Sequence, residues 1–494
     1  MKKKLKIVHI ASEVDPFSKT GGLADVTRSL PKALKETDKT EIIVITPLYS
    51  EITDVNKFGL KKIIEDIKIE MSDGINIESD YWQGELAPGL QIYFIDNNKY
   101  FGKRKTLYGS DHENARFFFF DLAALKLLKL INFQPDIVHC HDWQTGLVPY
   151  FLKRRFSKDE ILGNAASIFT IHNLLFQLGQ NWWKIKNDFR DDGYSRLPKF
   201  EHSDKLESIN FAKRAIINAD IINAVSEKYA EEILTKDFGE DLHRILKNRE
   251  NRVFGIINGI DYDDYNPKTD PGLQKNYDAT SLDNKLENKK FLQKYFGLPQ
   301  EPEVPILGMV TRITEQKGID LIMEIMDSLL KLDLQFVIMG AGEKHYENFF
   351  KKIQKKYPKK IGVHLEFDPG KATSIYAGSD MFLMPSRFEP CGLGQLISLR
   401  YGSVPIVRSV GGLADTITDF NPRKKKGDGF IFHSYTSQSL LIAIVRAIET
   451  FKYRDIWQNL VKEGMQKSLS WEMPAKKYLQ LYRKAIKHKK ENNK

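Results

Sequence analysis

Glu389 stands in a loop of the kind that can place a carboxylate beside a ligand. The apolar run Met381–Met384 predicts a buried strand, and helical apolar spacing resumes over Leu393–Tyr401. The carboxylate therefore lies at a strand-to-helix turn, near backbone N–H groups that attract anions and electron-rich oxygens. It either holds a polar ligand or only caps the helix, and the local pattern leaves both interpretations open.

Arg312 and Lys317 offer a second chemistry. They lie between a predicted strand, Pro305–Val310, and a helix, and Gly318 follows them. An arginine supplies a planar fork of donors and a lysine a compact positive charge, which together suit a diphosphate. The alternative is a pair of solvated surface charges.

Lys19, Gly21 and Gly22 form a comparable loop near the start of the chain. They follow the predicted strand Leu5–Ala11 and precede an amphipathic helix that runs to Leu34. Glycines let a phosphate approach the backbone, and the lysine adds positive charge. Paired glycines are usually ordinary turns, so this loop is a weak signal by itself.

Histidine and carboxylate side chains follow two further predicted strands. Asp136–His139 leads into a Cys-His-Asp-Trp segment with Asp142 and Trp143, which could bind a sugar through hydrogen bonds and stacking. Ser167–Thr170 leads into His172. The alternatives are a helix cap at Asp142 beside a packed Trp143, and a purely structural His172.

The polar residues above all follow strands, which indicates how the chain folds. Strands alternate with helices along the sequence, and this alternation predicts an α/β protein with parallel sheets. Ligands of open α/β sheets bind outside the carboxyl ends of the strands. We therefore expect two such domains that face each other across a deep cleft lined by these side chains.

Length and composition agree with this expectation. At 494 residues the chain exceeds one ordinary core and predicts two or more domains. The net charge of +10 suits a nucleotide, a nucleic acid or a membrane surface. The lysines are scattered, however, so we expect a solvated basic surface and neither a nucleic-acid nor a membrane partner.

Cysteine use and hydropathy indicate the compartment. Cys140 and Cys391 are the only cysteines, which disfavours a disulfide framework or a zinc site and favours a reducing compartment. The N-terminal apolar run is too short for a signal peptide, and no stretch is long and apolar enough to span a bilayer. We expect a cytoplasmic protein.

The segments SRFEPCGL, from Ser386 to Leu393, and GGLADT, from Gly411 to Thr416, resemble the donor site of bacterial glycogen synthases and plant starch synthases. The resemblance covers almost the whole chain. Those enzymes are retaining glucosyltransferases with two Rossmann-like domains, the GT-B architecture. The resemblance implies an N-terminal acceptor-side domain over 1–261 and a nucleotide-sugar domain over 262–470, introduced by a polar connection over 262–298. It also implies a C-terminal helix and basic tail over 471–494 that packs on the first domain.

The resemblance also assigns catalytic roles. Arg312, Lys317 and Lys19 would stabilise negative charge on a leaving diphosphate. Glu389 would hold sugar hydroxyls and offset positive charge at C1, and His172 would position the glucose. The substrate-binding residues that it implies are Gly21, Gly22, Asp25, Asp142, Asn258, Gln316, Tyr376, Cys391, Gly392 and Leu393.

For two of those residues the resemblance also implies which part of the donor they contact. Asn258 would touch the donor sugar and Tyr376 would stack on the nucleotide base, although core packing is the alternative for the tyrosine.

Asp261-Tyr262-Asp263 looks like the metal-binding pair of a different glycosyltransferase fold, but the segment from Asn258 to Asp261 matches this family instead. We expect no catalytic metal and no other cofactor.

The stretch 178–204 departs most from the family pattern and is typical of a long functional loop or an insertion. Trp182 and Trp183 within it could stack on a glucan or simply pack. Arg28 also departs, because the family usually has a small residue there.

The implied reaction transfers glucose from ADP-glucose to the non-reducing 4-hydroxyl of an α-1,4-glucan such as glycogen, with retention at the anomeric carbon. We expect ADP-glucose over UDP-glucose because this compact chain looks more like the bacterial enzymes than the larger animal and fungal ones. The alternatives are UDP-glucose as donor, another nucleotide-sugar transferase of the same fold, and a catalytically silent glycan-binding protein.

Overall fold

The computed structural model describes residues 4–72, 74–109, 112–179, 185–201 and 203–492. The chain divides into two compact units, each with its own sheet. Unit 1 comprises Met1–Asn258 together with Trp471–Lys494, and unit 2 comprises Gly259–Ser470. The second unit thus begins a few residues before Tyr262, where the sequence placed its start.

Unit 1 is built on a mostly parallel sheet. Its strands are β1 Leu5–Ile10, β2 Thr40–Pro47, β3 Lys61–Ser72, β4 Ile75–Ala87, β5 Leu90–Asp96, β6 Ile137–His141, β7 Ala166–Ile171, β8 Ile221–Ala224 and β9 Val253–Gly255. Among the described residues their order is β3-β4-β5-β2-β1-β6-β7-β8-β9. The order reverses between β1 and β6, which is where an α/β sheet offers a crevice to a ligand.

The edge of this sheet departs from the prediction of a purely parallel sheet. β3 pairs with β4, and β4 with β5, in antiparallel register. Most side chains of β3 are exposed, so the strand has no continuous apolar run. The predicted α/β class is confirmed, but the expectation that every strand is parallel is wrong for this hairpin.

Helices cover the sheet of unit 1. They are α1 Gly22–Lys35, α2 Glu113–Leu130, α3 Leu147–Arg154, α4 Asp204–Glu207, α5 Phe211–Asn218, α6 Glu227–Glu232 and α7 His243–Lys247. The phenylalanines of α2, from Phe117 to Phe120, are all buried, so they are core residues, as the sequence predicted.

Unit 2 has a parallel sheet. Its strands are β10 Ile306–Val310, β11 Gln335–Met339, β12 Ile361–His364, β13 Met381–Met384, β14 Val404–Arg408 and β15 Phe430–Phe432. Their order is β12-β11-β10-β13-β14-β15 among the described residues, and every pairing is parallel. The strand order reverses between β10 and β13.

Helices surround this second sheet. They are α8 Lys285–Tyr295, α9 Ile319–Leu329, α10 Lys344–Lys356, α11 Pro369–Gly378, α12 Gly394–Arg400, α13 Gly411–Thr416, α14 Ser437–Phe451 and α15 Arg454–Gln466. The stretch 262–298 is not a mere connection, because it contains α8 and the buried Tyr277, whose hydroxyl donates to the carbonyl of Tyr401 at 2.7 Å.

The last helix, α16 Glu472–Asn492, belongs to unit 1. Tyr478, Leu481, Tyr482 and Ala485 are buried in the same core cluster as residues of β1 and β7. Their spacing gives one apolar helical face, as the sequence predicted. This helix therefore completes the core of unit 1 beneath β1, β6 and β7.

Candidate functional site

The strand reversal in unit 2 carries a cavity of about 200 Å³. The loop after β10 supplies Arg312 and Lys317, and the loop after β13 supplies Glu389 and Gly392. The complete lining is Met309, Val310, Thr311, Arg312, Lys317, Tyr376, Leu383, Met384, Ser386, Glu389, Gly392, Leu393 and Gly394. Charged groups that are far apart in the sequence thus converge at the position where parallel sheets bind ligands.

An ion pair dominates this cavity. Lys317 Nζ lies 2.6 Å from Glu389 Oε2, and the hydroxyl of Ser386 donates to the same oxygen at 3.0 Å. The side chains of Lys317 and Glu389 are only 16% and 7% exposed. Both bonds use Oε2, and within the described part of the chain no hydrogen bond occupies Oε1, which leaves that oxygen to a ligand.

The two loops are held together by their backbones. The N–H of Arg387 donates to the carbonyl of Gln316 at 2.9 Å. Gly318 adopts a φ of +74°, and a Cβ at this position would lie 2.1 Å from the carbonyl oxygen of Pro385. Glycine is therefore required for the loops to approach each other this closely.

These contacts exclude one alternative for Glu389, a helix cap, and one for Lys317, a solvated charge. Helix α12 begins at Gly394, and no side chain caps it, so the interpretation of Glu389 as a cap is wrong. Lys317 is not a solvated surface charge, because it is paired and mostly buried. Arg312 is exposed at the mouth of the cavity, and its guanidinium lies 3.4 Å from Oε1 of Gln316.

Tyr376 and Cys391 are placed differently. Tyr376 lines the cavity but is 6% exposed, and its ring packs against Phe382 with centroids 4.6 Å apart. Cys391 is also 6% exposed and is absent from the lining among the described residues. Its carbonyl accepts a hydrogen bond from Gln395 at 3.0 Å, which helps to hold the loop.

In unit 1 the loop after β1 brings Lys19 and the glycines together. Lys19 Nζ lies 2.5 Å from Asp25 Oδ1 and 3.7 Å from Asp15 Oδ1. Gly21 and Gly22 are exposed, and a Cβ on Gly21 would meet nothing within 4 Å. The packing of the protein therefore does not require a glycine at position 21, which leaves open space above the backbone.

A buried carboxylate missed by the sequence analysis fixes this loop. Glu13 accepts hydrogen bonds from the backbone N–H and the hydroxyl of Thr20, and from the hydroxyl of Tyr108 at 3.3 Å. Burial raises the pKa of Glu13 above its ordinary value. The signal was present, since Glu13 lies three residues after the end of β1, but nothing in the sequence pairs it with Thr20.

Asp142 has an unusual backbone conformation at the end of β6. Its φ of +59° and ψ of 175° belong to a region that residues other than glycine rarely occupy. Its Oδ1 accepts the backbone N–H of His172 at 2.8 Å. Burial raises the pKa of Asp142 to about 8. Such strain in a buried carboxyl at a strand end is typical of a functional position.

Trp143 belongs to the core, whereas Asn258 has the character of a site residue. Trp143 is 8% exposed and meets Phe117 edge-on at 5.3 Å, so the idea that it stacks on a sugar is wrong. Asn258 is buried, and its Oδ1 has no hydrogen-bond partner among the described residues. A buried acceptor without a partner is costly, which favours a ligand at this position.

Four histidines lie close together around the carboxyl end of β6. His9, His139 and His141 are fully buried and His172 is half-buried. Possible ligand atoms of His9, His139 and His141 lie within 4.8 Å of one another, and these residues form the group among those described that could hold a metal. The sequence indicated His172 and, within the Cys-His-Asp-Trp segment, His141, but neither His9 nor His139.

The acidic pair in Asp261-Tyr262-Asp263 forms a turn. Asp261 Oδ1 accepts the backbone N–H of Asp263 at 3.0 Å. Neither carboxylate belongs to a group of potential metal ligands among the described residues.

Trp182 and Trp183 lie outside the described residues. The described part of their stretch is anchored by an ion pair of 2.5 Å between Asp191 and Arg214, both buried.

Two further observations concern the chain as a whole. Cys140 and Cys391 are both free and buried. Within the described residues, no helix combines the length and apolar character needed to cross a membrane.

Known protein families and relatives match this chain along most of its length. Residues 6–248 match the profile of the starch synthase catalytic domain, and residues 293–463 match that of glycosyl transferases group 1. The chain is 44% identical over 492 residues to a glycogen synthase of Moorella thermoacetica, covering 98% of both chains. It is 42% identical over 487 residues to a glycogen synthase of Thermosipho melanesiensis, covering 98% of this chain and 99% of the relative.

A solved structure matches over the same length. The catalytic domain of starch synthase IV from Arabidopsis thaliana, bound to ADP and acarbose, has a TM-score of 0.86 and 34% sequence identity to this chain. The match covers 98% of this chain and 100% of that one.

Proposed function

Because the chain belongs to the family of bacterial glycogen synthases and plant starch synthases, we propose that it transfers glucose from ADP-glucose to the non-reducing 4-hydroxyl of an α-1,4-glucan, with retention at the anomeric carbon. The observation that carries this proposal is the cavity of unit 2, where Arg312 and the Lys317–Glu389 pair meet at the strand reversal.

The chemistry of transfer fits the charges in that cavity. The bond from C1 of glucose to the diphosphate oxygen breaks, and its electron pair stays on the leaving ADP. The oxygen of the glucan 4-hydroxyl forms the new bond to C1, and its proton passes to the leaving diphosphate or to solvent. Lys317 and Arg312 stabilise the growing negative charge on the diphosphate, and preorganised charges of this kind act most strongly where water is excluded.

The carboxylate has a different task. Glu389 Oε1 accepts hydrogen bonds from sugar hydroxyls, while Oε2 stays paired with Lys317 and Ser386. The negative charge also offsets positive charge that develops at C1 as the leaving group departs. The ion pair thereby fixes the position of the lysine that faces the diphosphate and of the carboxylate that faces the sugar.

In unit 1 we assign the exposed loop with Lys19, Gly21 and Gly22 to the phosphate groups, because its backbone is open to a ligand. His172 and Asn258 contact the glucose, and Asp142 holds the backbone of His172. Tyr376 packs beside the nucleotide base. No metal ion is needed, because side chains meet the diphosphate charge.

Transfer to glycogen tests the proposal. Purified protein is incubated with glycogen and either ADP-glucose or UDP-glucose, each labelled in the glucose. We expect label in the polymer, a larger kcat/KM with ADP-glucose, and complete release of the label by an amylase specific for α-1,4 bonds at chain ends. Preference for UDP-glucose would overturn the donor alone. Absence of polymer label, with transfer to sucrose or a lipid, would overturn the acceptor, and absence of any transfer would support a silent glycan-binding protein.

A further inference from the structure

A row of imidazole rings runs through unit 1 from β1 to His172. His9 Nδ1 lies 3.0 Å from His141 Nε2, and His141 Nδ1 lies 3.0 Å from His172 Nε2. Both are hydrogen-bond distances, so each contact joins a donor on one ring to an acceptor on the next. The three rings form one continuous imidazole chain, which begins at His9 Nε2 and ends at His172 Nδ1.

The imidazole chain is uncharged. Burial lowers the pKa of His9 to about 3 and holds the pKa of His141 well below its ordinary range. The pKa of His172 is lowered for the same reason. A neutral imidazole has one N–H and one bare nitrogen. The protons can therefore be ordered in two ways, with every N–H directed toward His172 or every N–H directed toward His9.

The buried end of the imidazole chain decides between these orders. His9 Nε2 is buried and has no hydrogen-bond partner among the described residues. If the N–H groups pointed toward His9, this atom would carry an orphaned N–H, and buried N–H groups without partners are rarer than acceptors without partners. The favoured order has His9 Nδ1–H donating to His141, and His141 Nδ1–H donating to Nε2 of His172.

We propose that His9 and His141 are positioning residues, which act through the imidazole chain to hold His172 in the tautomer that carries its proton on Nδ1. In this tautomer His172 presents an N–H to its ligand and selects an oxygen acceptor, such as a hydroxyl of the donor sugar. The identity of that ligand rests on the proposed function, whereas the tautomer does not.

The same histidines do not form a convincing metal site. His139 Nδ1 lies 3.0 Å from the hydroxyl of Tyr482, and its Nε2 lies 2.6 Å from the hydroxyl of Thr170. Both nitrogens of His139 are therefore already used. Its ring also stacks on His141, with centroids 4.2 Å apart and planes inclined by 25°, so the two rings lie face to face and do not converge on a common ion.

The tautomer is measured directly by NMR. The 11 histidines are labelled with ¹⁵N, and long-range correlation spectra of the ligand-free protein separate protonated from bare ring nitrogens. Signals of the imidazole chain are assigned by single substitution of each member. We expect His172 protonated on Nδ1 and bare on Nε2. The opposite tautomer, or a rapidly exchanging mixture in the wild-type protein, would overturn the proposal.

Substitutions at His141 separate positioning from packing. His141→Phe keeps a ring but removes the donor to His172, so we expect a mixture of His172 tautomers and a kcat about tenfold lower, the size of one neutral hydrogen bond. His141→Asn keeps a donor near the position of Nδ1 and should restore the Nδ1–H tautomer and a kcat several-fold above that of His141→Phe. His139→Asn, a control in the same buried cluster, should lower the Tm and leave the tautomer unchanged.

The outcomes distinguish this proposal from the proposed function. If His172 carries its proton on Nδ1 but the protein transfers no glucose to glycogen, the proposed function is wrong and the imidazole chain stands. Transfer with an unchanged His172 spectrum in His141→Phe would refute the imidazole chain and keep the function. Stoichiometric metal in the purified protein by elemental mass spectrometry, lost in His9→Phe, would show that the rings are ligands and would also overturn the proposal.

Discussion

Lys317 Nζ lies 2.6 Å from Glu389 Oε2, although the two residues are separated by 72 positions in the chain. The contact exists because β10 and β13 are neighbours in the sheet, so the loops that follow them lie side by side. The pair joins the positive charge that the proposed reaction needs for the diphosphate to the carboxylate that it needs for the sugar. Its burial and its position have consequences that can be measured.

The first prediction concerns stability. Lys317→Ala leaves the carboxylate of Glu389 mostly buried without its partner, so it should destabilise unit 2. The loss should be below the roughly 3–5 kcal/mol typical of a fully buried pair, because the side chain of Lys317 is partly exposed. Lys317→Ala combined with Glu389→Ala should cost less than the sum of the single variants. Calorimetric Tm values for the complete cycle give the coupling, and additive losses would show that the ion pair is energetically irrelevant.

The second prediction concerns the open glycine loop. Gly21→Ala should leave the Tm unchanged, because the added methyl meets nothing within 4 Å in the protein. The methyl would occupy the space that we assign to phosphate, so the KM for the sugar nucleotide should rise. Steady-state kinetics and thermal melts of the same preparation measure both effects. An unchanged KM would return this loop to an ordinary turn.

The third prediction follows from the buried carboxyl of Asp142. In the folded protein its pKa is raised to about 8, whereas the unfolded chain loses this proton near about pH 3.9. The folded state therefore binds more protons between these values, and this carboxyl makes stability fall as pH rises across that window. Asp142→Asn keeps an acceptor for the N–H of His172 and a side chain of nearly the same shape, so the backbone strain is the same in both proteins.

The Tm of Asp142→Asn should therefore equal that of the wild type near about pH 4 and exceed it by a growing margin up to about pH 8. Glu13 also acts on Asp142 and is present in both proteins. The quantity to compare is therefore the difference between the two Tm values at each pH. Asp333→Asn, at an exposed carboxylate, serves as the control and should show no such trend. A difference that is independent of pH would mean that Asp142 is ionised in the fold.

The fourth prediction concerns metal ions. Side chains meet the diphosphate charge in our account, so transfer should continue after exhaustive treatment with EDTA. Activity is measured before chelation, after it, and after addition of magnesium or manganese. Complete loss followed by recovery with a metal would contradict the account and would direct attention to Asp261 and Asp263.

Much of the fold was predictable because its signals are local. Apolar runs such as Met381–Met384 mark buried strands whatever lies beside them, and polar residues after those runs indicated the site-bearing loops. The hairpin of β3 and β4 was missed for the opposite reason. Both strands are long and rich in polar residues, β3 is mostly exposed and β4 mostly half-buried, so the apolar alternation that identifies a strand is weak there.

The residues of the candidate site were named from the sequence, but their contacts were not. The sequence identified Lys317 and Glu389 separately, and only the strand order shows that they pair. The same holds for His9 and His141, whose contact spans 132 positions. Trp143 illustrates the converse, since an indole next to Asp142 looks available to a sugar in the sequence, whereas in the fold it packs against Phe117 of α2 and Phe211 of α5.

The most direct test of the central claim is the rate of Lys317→Ala at saturating sugar nucleotide, measured as labelled glucose entering glycogen. Its fold is first checked by circular dichroism at the assay temperature. Lys356→Ala is the matched control, because Lys356 pairs with Asp327 at 2.8 Å on the exposed surface. If Lys317 stabilises the leaving diphosphate, kcat should fall by about 10²–10³, while the control stays at the wild-type rate. A folded Lys317→Ala protein with near wild-type kcat would contradict the account.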